Sequence, residues 1–155
     1  MGSVEAIYIA SEKEAPTRPV DEVQAVAGRG LEGDRYFLGN GTYSTEREPG
    51  RDITLIEAEA IEGLVREDGI ELAPGEARRN VVTRGIGLNE LVGRRFTVGP
   101  VECVGHELCD PCNHLQRMTK PGVLKGLTNR GGLRADIVTG GRIAVGDEIS
   151  DLGAV

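Results

Sequence analysis

Arg95-Phe96-Thr97-Val98-Gly99-Pro100-Val101-Glu102-Cys103-Val104-Gly105 is the stretch that decides the fold. Arg95–Val98 and Val101–Gly105 read as two β runs, and the turn pair Gly99-Pro100 between them predicts a hairpin. Alternation over Val101–Glu107 puts Val101, Cys103 and Gly105 on one face, and Val104 and His106 on the other. Cys103 is then a small buried hydrophobe rather than a reactive thiol.

Working outward, turn residues recur at short intervals. Val4–Ile9 predicts a first strand and Val20–Ala27 a second extended piece. The latter runs into Gly28-Arg29-Gly30-Leu31-Glu32-Gly33-Asp34-Arg35-Tyr36, where the backbone must turn sharply. Leu38–Gly50 has no usable period and reads as a long loop, a kind of segment more often functional or mobile than idle. Ile53–Ile56 predicts a buried strand, and Glu57–Glu67 carries Ala58, Ile61, Leu64 and Val65 at helical spacing. Arg78–Thr83 predicts a strand that begins at a basic edge, and Leu88–Leu91 at most one helical turn. Beyond the hairpin, Leu115–Met118 and Val123–Thr128 predict short helices. Ala135–Thr139, Arg142–Val145 and Glu148–Ile149 close the chain as short strands. The pattern predicts a mainly β (α+β) protein, a closed or nearly closed barrel decorated by helices. At 155 residues and 39% hydrophobic content, the expectation is one domain over 1–155.

Composition narrows the function. A net charge of −7 and a pI near 4.9 repel phosphate backbones and anionic lipid surfaces, so neither nucleic acid nor membrane is expected as partner. No apolar run has the length of a membrane span, and Val4–Ala10 is too short and too interrupted for a signal peptide. Three cysteines is an odd count that fits no disulfide framework. A reduced, cytoplasmic protein is expected, its oligomeric state open.

Past the hairpin lies Glu107-Leu108-Cys109-Asp110-Pro111-Cys112-Asn113-His114, with two of the three cysteines, and both histidines, His106 and His114, flank them. Pro111 suits the first turn of a helix, which would set the Cys112 sulfur near unsatisfied backbone N–H groups. Such surroundings favour the thiolate, the form that sulfur transfer and soft-metal ligation both require. Zinc competes, with Cys109, Cys112, His106 and His114 as ligands, but the spacing is crowded and no second Cys-x-x-Cys exists. A thioredoxin-like dithiol would follow a strand of a βαβ unit, which is not evident around this motif. Two inert loop cysteines are the bland alternative.

The chain also resembles a known family. Arg78-Arg79-Asn80-Val81-Val82-Thr83-Arg84-Gly85 and Leu88-Asn89-Glu90-Leu91-Val92-Gly93-Arg94-Arg95-Phe96-Thr97-Val98-Gly99 are similar to the core of the MOSC domain, named for the C-terminal domain of molybdenum cofactor sulfurases. The likeness continues through Pro111-Cys112, Arg130-Gly131-Gly132-Leu133-Arg134-Ala135 and Gly146-Asp147-Glu148-Ile149, and upstream in Gly30–Tyr36. The resemblance implies a β-barrel with peripheral helices and one functional cysteine, which in relatives carries sulfur or ligates the molybdenum of a pterin cofactor. Cys112, after proline, matches that position, and would be both catalytic residue and metal ligand. Cys109 is an addition to the pattern and leaves two sulfurs to choose between.

A pterin cofactor presents a phosphate and a flat hydrogen-bonding ring, which call for guanidinium forks and backbone donors. Arg35, Arg51, Arg78, Arg79, Arg130 and Arg134 are the arginines expected to bind it, with Asn80 and Thr83 as neutral partners. No lysine stands in a Schiff-base context, so pyridoxal phosphate is not expected in this chain alone. The implied function is to bind molybdenum cofactor, or to carry sulfur as a Cys112 persulfide, with a sulfur donor as partner. The alternatives are a molybdenum-dependent reductase of N-hydroxylated or oxidised small molecules, served by an electron-transfer protein, and a zinc-stabilised binding module.

Overall fold

The structure, a computed structural model, describes residues 2–10, 17–34, 52–68 (side chains through 63), 79–108 and 132–154. The predicted hairpin is its centre. Strands β7 (Arg94–Val98) and β8 (Val101–Leu108) pair antiparallel from Val98↔Val101 to Arg95↔Val104. Gly99 turns between them with φ +58°, and the Asp147 carboxylate occupies the space a side chain would need there. On β8, Val101, Cys103 and Gly105 are buried while His106 is exposed, as alternation requires.

The other strands are β1 (Gly2–Ile9), β2 (Arg18–Val20), β3 (Glu22–Val26), β4 (Gly30–Leu31), β5 (Ile53–Glu57), β6 (Val81–Arg84), β9 (Leu133–Thr139), β10 (Gly141–Ala144) and β11 (Glu148–Ala154). Seven of them close in the order β1-β11-β7-β8-β9-β5-β6, β6 returning to β1, with β2 added beside β1. The fold is a closed, mainly β barrel. A second sheet, β10-β3-β4, docks against it: Gly28 donates its N–H to the Ile137 carbonyl at 3.2 Å.

Inward residues fill the barrel with Ile7, Leu55, Val81, Phe96, Cys103 and Leu133, each at most 1% exposed. Leu88 and Leu91, on a 3-10 turn over Leu88–Leu91, join that core. Helix α1 (Ala58–Asp68) follows β5 directly. Its Ala60 and Ile61 are buried together with Ile56 and Val82 but lie apart from the interior cluster, so α1 covers the outer face of β5 and β6. Roughly 1.5–3 kcal/mol of hydrophobic stabilisation accompanies each such full burial of a large aliphatic side chain.

Three expectations change. Val20–Ala27 is not one extended piece: the chain bends at Asp21, so β2 joins the barrel sheet and β3 the small sheet. The strand expected over Arg78–Thr83 begins at Val81 and runs parallel to β5, a pairing that α1 makes possible by returning the chain to the same end. The final strand continues from Ile149 to Ala154 through a bulge at Asp151/Gly153, where Asp151 Oδ1 accepts the Gly153 N–H at 2.8 Å. The loop expected over Leu38–Gly50 and the helices expected over Leu115–Met118 and Val123–Thr128 lie outside the described residues.

Candidate functional site

Asn80, just before β6, is fully buried and laces three strands together. Its side-chain carbonyl accepts the Thr54 N–H and the Thr54 hydroxyl, both at 3.1 Å. Thr54 Oγ1 accepts the Asn80 N–H at 3.0 Å, and Asn80 Nδ2 donates to the Tyr8 carbonyl at 3.2 Å. A buried amide without partners costs a few kcal/mol, so such a network holds its members in one arrangement.

Across the sheet Thr54 pairs with Arg134, and Arg134 with Glu107. Asn80, Thr54, Arg134 and Glu107 thus form one cross-strand row, buried at β6 and exposed at β8. From β6 to β8 the row crosses three strand spacings, roughly 14 Å. The adjoining row, Val81-Leu55-Leu133-Leu108, faces the core. Leu108 ends β8, and Cys109 is the next residue.

His106 stands in a β-bulge, where the register slips between Gly105 and Glu107. The bulge has a local cause. Gly93 donates to the Gly105 carbonyl at 2.9 Å, and a Cβ on Gly105 would fall on the Leu91 carbonyl oxygen. The 3-10 turn therefore lies against β8 at the one residue that allows it. On the neighbouring strand Gly132, at φ +109°, passes equally close to the Leu55 carbonyl.

Of the expected site residues, the structure brings Asn80 and Arg134 into the row, with Arg79 half-buried beside it. Thr83 lies farther along β6, opposite Glu57. It is fully buried, and its hydroxyl donates to the Ile56 carbonyl at 3.4 Å. Asn80 and Thr83 both bond the barrel itself. Cys109, Cys112, His114, Arg35, Arg51, Arg78 and Arg130 lie outside the described residues. No metal-binding group of three His, Cys, Asp or Glu side chains forms among the described residues. No described helix is long and apolar enough to cross a membrane.

Two buried carboxylates escaped the reading of the sequence. Asp34 is fully buried and Asp52 4% exposed. Their oxygens accept the Ala10 N–H at 3.1 Å and the Ile137 N–H at 2.9 Å. The available signal was small: an acidic residue adjoining an arginine at the edge of a β run. Burial, then the charges of Asp52, Asp136 and Glu102, drive the Cys103 thiol far above its ordinary range. Cys103 is structural, as its place on the inward face requires.

With this geometry in hand, likeness to known proteins is informative. The pattern of the MOSC domain matches residues 42–150. This chain belongs to the MOSC domain family. The same fold recurs in solved structures. The YuaD protein from Bacillus subtilis is 20% identical with a TM-score of 0.82, over 100% of this chain and 97% of that one. YiiM from Geobacillus stearothermophilus is 14% identical with a TM-score of 0.75, over 98% and 75%. YiiM from Escherichia coli is 17% identical with a TM-score of 0.71, over 100% and 71%. No curated protein matches the sequence. MOSC domains are associated with the molybdenum cofactor and with sulfurase-like chemistry.

Proposed function

We propose that this MOSC domain holds a molybdenum pterin cofactor at the mouth where β8 ends, with Cys112 as its reactive sulfur. The observation that supports this is the Asn80-Thr54-Arg134-Glu107 row, which leads from the arginine-bearing start of β6 to the strand that delivers Cys109 and Cys112. The donor set suits the group: arginine forks for the phosphate, a thiolate for a soft metal, and close backbone approaches at Gly105 and Gly132 that keep this end of the sheet compact. Arg35, Arg51, Arg78, Arg79, Arg130 and Arg134 would hold and orient the cofactor, and the Cys112 thiolate would ligate the metal. When bound, the cofactor supplies two-electron redox chemistry at molybdenum.

The same sulfur supports a second reading, persulfide transfer. The Cys112 thiolate attacks the outer sulfur of a donor persulfide, forming Cys112–S–SH and releasing the donor thiolate. An acceptor nucleophile then takes the terminal sulfur and Cys112 leaves as thiolate. Alternatively, Cys109 attacks the inner sulfur, giving a Cys109–Cys112 disulfide and hydrosulfide.

Protein purified from a cofactor-competent host should contain stoichiometric molybdenum and yield fluorescent pterin oxidation products. Both should vanish in Cys112→Ala while the fold persists. One added sulfur on Cys112 by mass, without molybdenum, selects the carrier. Neither species in the wild type sinks both readings.

A further inference from the structure

The segment from Gly85 to Leu91, between β6 and β7, is gripped by carboxylates. Glu57, at the end of β5, accepts the Leu88 N–H at 3.3 Å, and Glu59, in the first turn of α1, accepts the Gly85 N–H at 2.8 Å. Glu90 bends back over the same segment: a Cβ on Gly87 would lie 3.6 Å from its Oε2. None of these three carboxylates has an ion pair among the described residues, and the nearby Arg84 guanidinium is held by Glu5 and Glu62 at 2.7 and 2.6 Å. Glu59 Oε1 is buried, and it alone among the buried side-chain oxygens and nitrogens of the described residues has no hydrogen-bond partner. Buried charge without a counter-charge or a donor is costly.

The gripped segment also has no slack. At one side a Cβ on Gly2 of β1 would come within 2.7 Å of Ile86. At the other, the Leu91 carbonyl fills the Cβ position of Gly105 on β8, and Gly93 donates its N–H to the Gly105 carbonyl at 2.9 Å. Leu88 and Leu91 lie in the barrel core, and Ile86 packs against it. Close-packed interiors transmit strain, so a shift of this segment passes to β1 and β8.

We propose that Glu57 is a proton-operated latch on this segment. Protonated, it lets Gly85–Leu91 seat against β1 and β8. Ionised, it adds a charge beside the Glu59 and Glu90 carboxylates, and their repulsion eases the segment away from Gly105 and the bulge at His106. Burial lifts the Glu57 carboxyl above pKa 4.5, against the pull of the Leu88 N–H and with help from Glu59 and Glu90. The latch is therefore closed at acid pH and opens as pH rises through a window that begins at 4.5. The other charges on the surrounding elements stand apart. Arg84 of β6 is engaged with Glu5 of β1 and Glu62 of α1, and Arg94 of β7 with Asp151. Arg95 of β7 lies opposite Val104, Arg134 and Asp136 of β9 opposite Thr54 and Val104, and His106 of β8 beyond Gly105. The latch does not depend on the cofactor reading, although β8 is the strand that leads to Cys109.

The test is a pH titration of the whole chain between about pH 4 and pH 8, read by NMR. The side-chain carboxyl carbon of Glu57 and the amides of Gly2, Leu88, Gly93 and Gly105 are followed together. In the wild type all should move in one transition with a common midpoint above 4.5. Glu57→Gln keeps an acceptor for the Leu88 N–H and cannot ionise, so its amides should hold their acid positions across the range. Glu90→Gln removes one repelling charge and should shift the midpoint down towards 4.5. His106→Gln should leave the transition in place. Movement of Leu88 alone, with Gly2, Gly93 and Gly105 still, would show a titrating carboxyl without a latch and overturns the proposal. So does a transition that survives Glu57→Gln or disappears in His106→Gln. Where Glu57→Gln fails to fold, the wild-type profile and the Glu90→Gln midpoint decide: separate midpoints, or a midpoint that does not fall, reject the latch. Molybdenum content enters none of these readings, so loss of the cofactor assignment leaves the latch untouched.

Discussion

Gly105 carries more structure than its missing side chain suggests. A methyl group there would fall on the Leu91 carbonyl, and that carbonyl belongs to the turn whose leucines complete the barrel core. Gly105→Ala must push the turn off β8 or bend the strand. A loss of about 2–3 kcal/mol is expected, read as a lower urea midpoint at an unchanged slope. At this scale the sequence was legible wherever one residue answers to its nearest neighbours. Cys103 was placed on the inward face by alternation alone. Asp34 and Asp52 were not, because the amides they satisfy lie 24 and 85 positions away.

The junction of β5 with α1 shows how an element is held. Glu57 Oε2 accepts the Leu88 N–H at 3.3 Å and Glu59 Oε2 the Gly85 N–H at 2.8 Å, so two carboxylates grip the chain leaving β6. Burial raises the Glu57 pKa above its ordinary 4.5; the Leu88 N–H opposes this, and Glu59 and Glu90 add to it. The sign follows from linkage. The folded protein favours the protonated carboxyl, so the contribution of Glu57 to stability is greatest below pH 4.5 and declines as pH rises through the window that begins there. Glu57→Gln keeps an acceptor for Leu88 and removes the decline. It should raise the unfolding temperature at pH 7 and change it much less at pH 4. Elements were legible where period and turn chemistry agree, as in the hairpin, α1 and the 3-10 turn. They were lost where the period resets: the Asp151/Gly153 bulge hides the second half of β11. The parallel β5–β6 pairing was also missed, since nothing local marks a strand's distant partner.

For the whole molecule the weak point is the seam. β1 meets β11 through only Gly2↔Ile149 and Ser3↔Glu148, continued by Val4 N–H to Asp147 O and Gly146 N–H to Val4 O, each 2.8 Å. A Cβ on Gly2 would meet Ile86 at 2.7 Å and the Arg84 carbonyl at 2.8 Å. Gly2→Val should therefore open this seam first. Amide exchange at Val4 and Gly146 should accelerate while Cys103 and Ile137 stay protected; uniform acceleration would mean the barrel opens only as a unit. The barrel itself was foreseeable from many short strands with glycine turns, and its order of closure was not, because closure joins the two ends of the chain.

Burial of Cys103 has a practical corollary. With that thiol sealed among Phe96 and Ile137 and its ionisation suppressed, thiol reagents applied to intact protein should leave Cys103 unlabelled. Denaturant adds one further equivalent. The molecule carries its own internal standard, against which the oxidation or sulfur loading of the other two cysteines can be calibrated in a single sample.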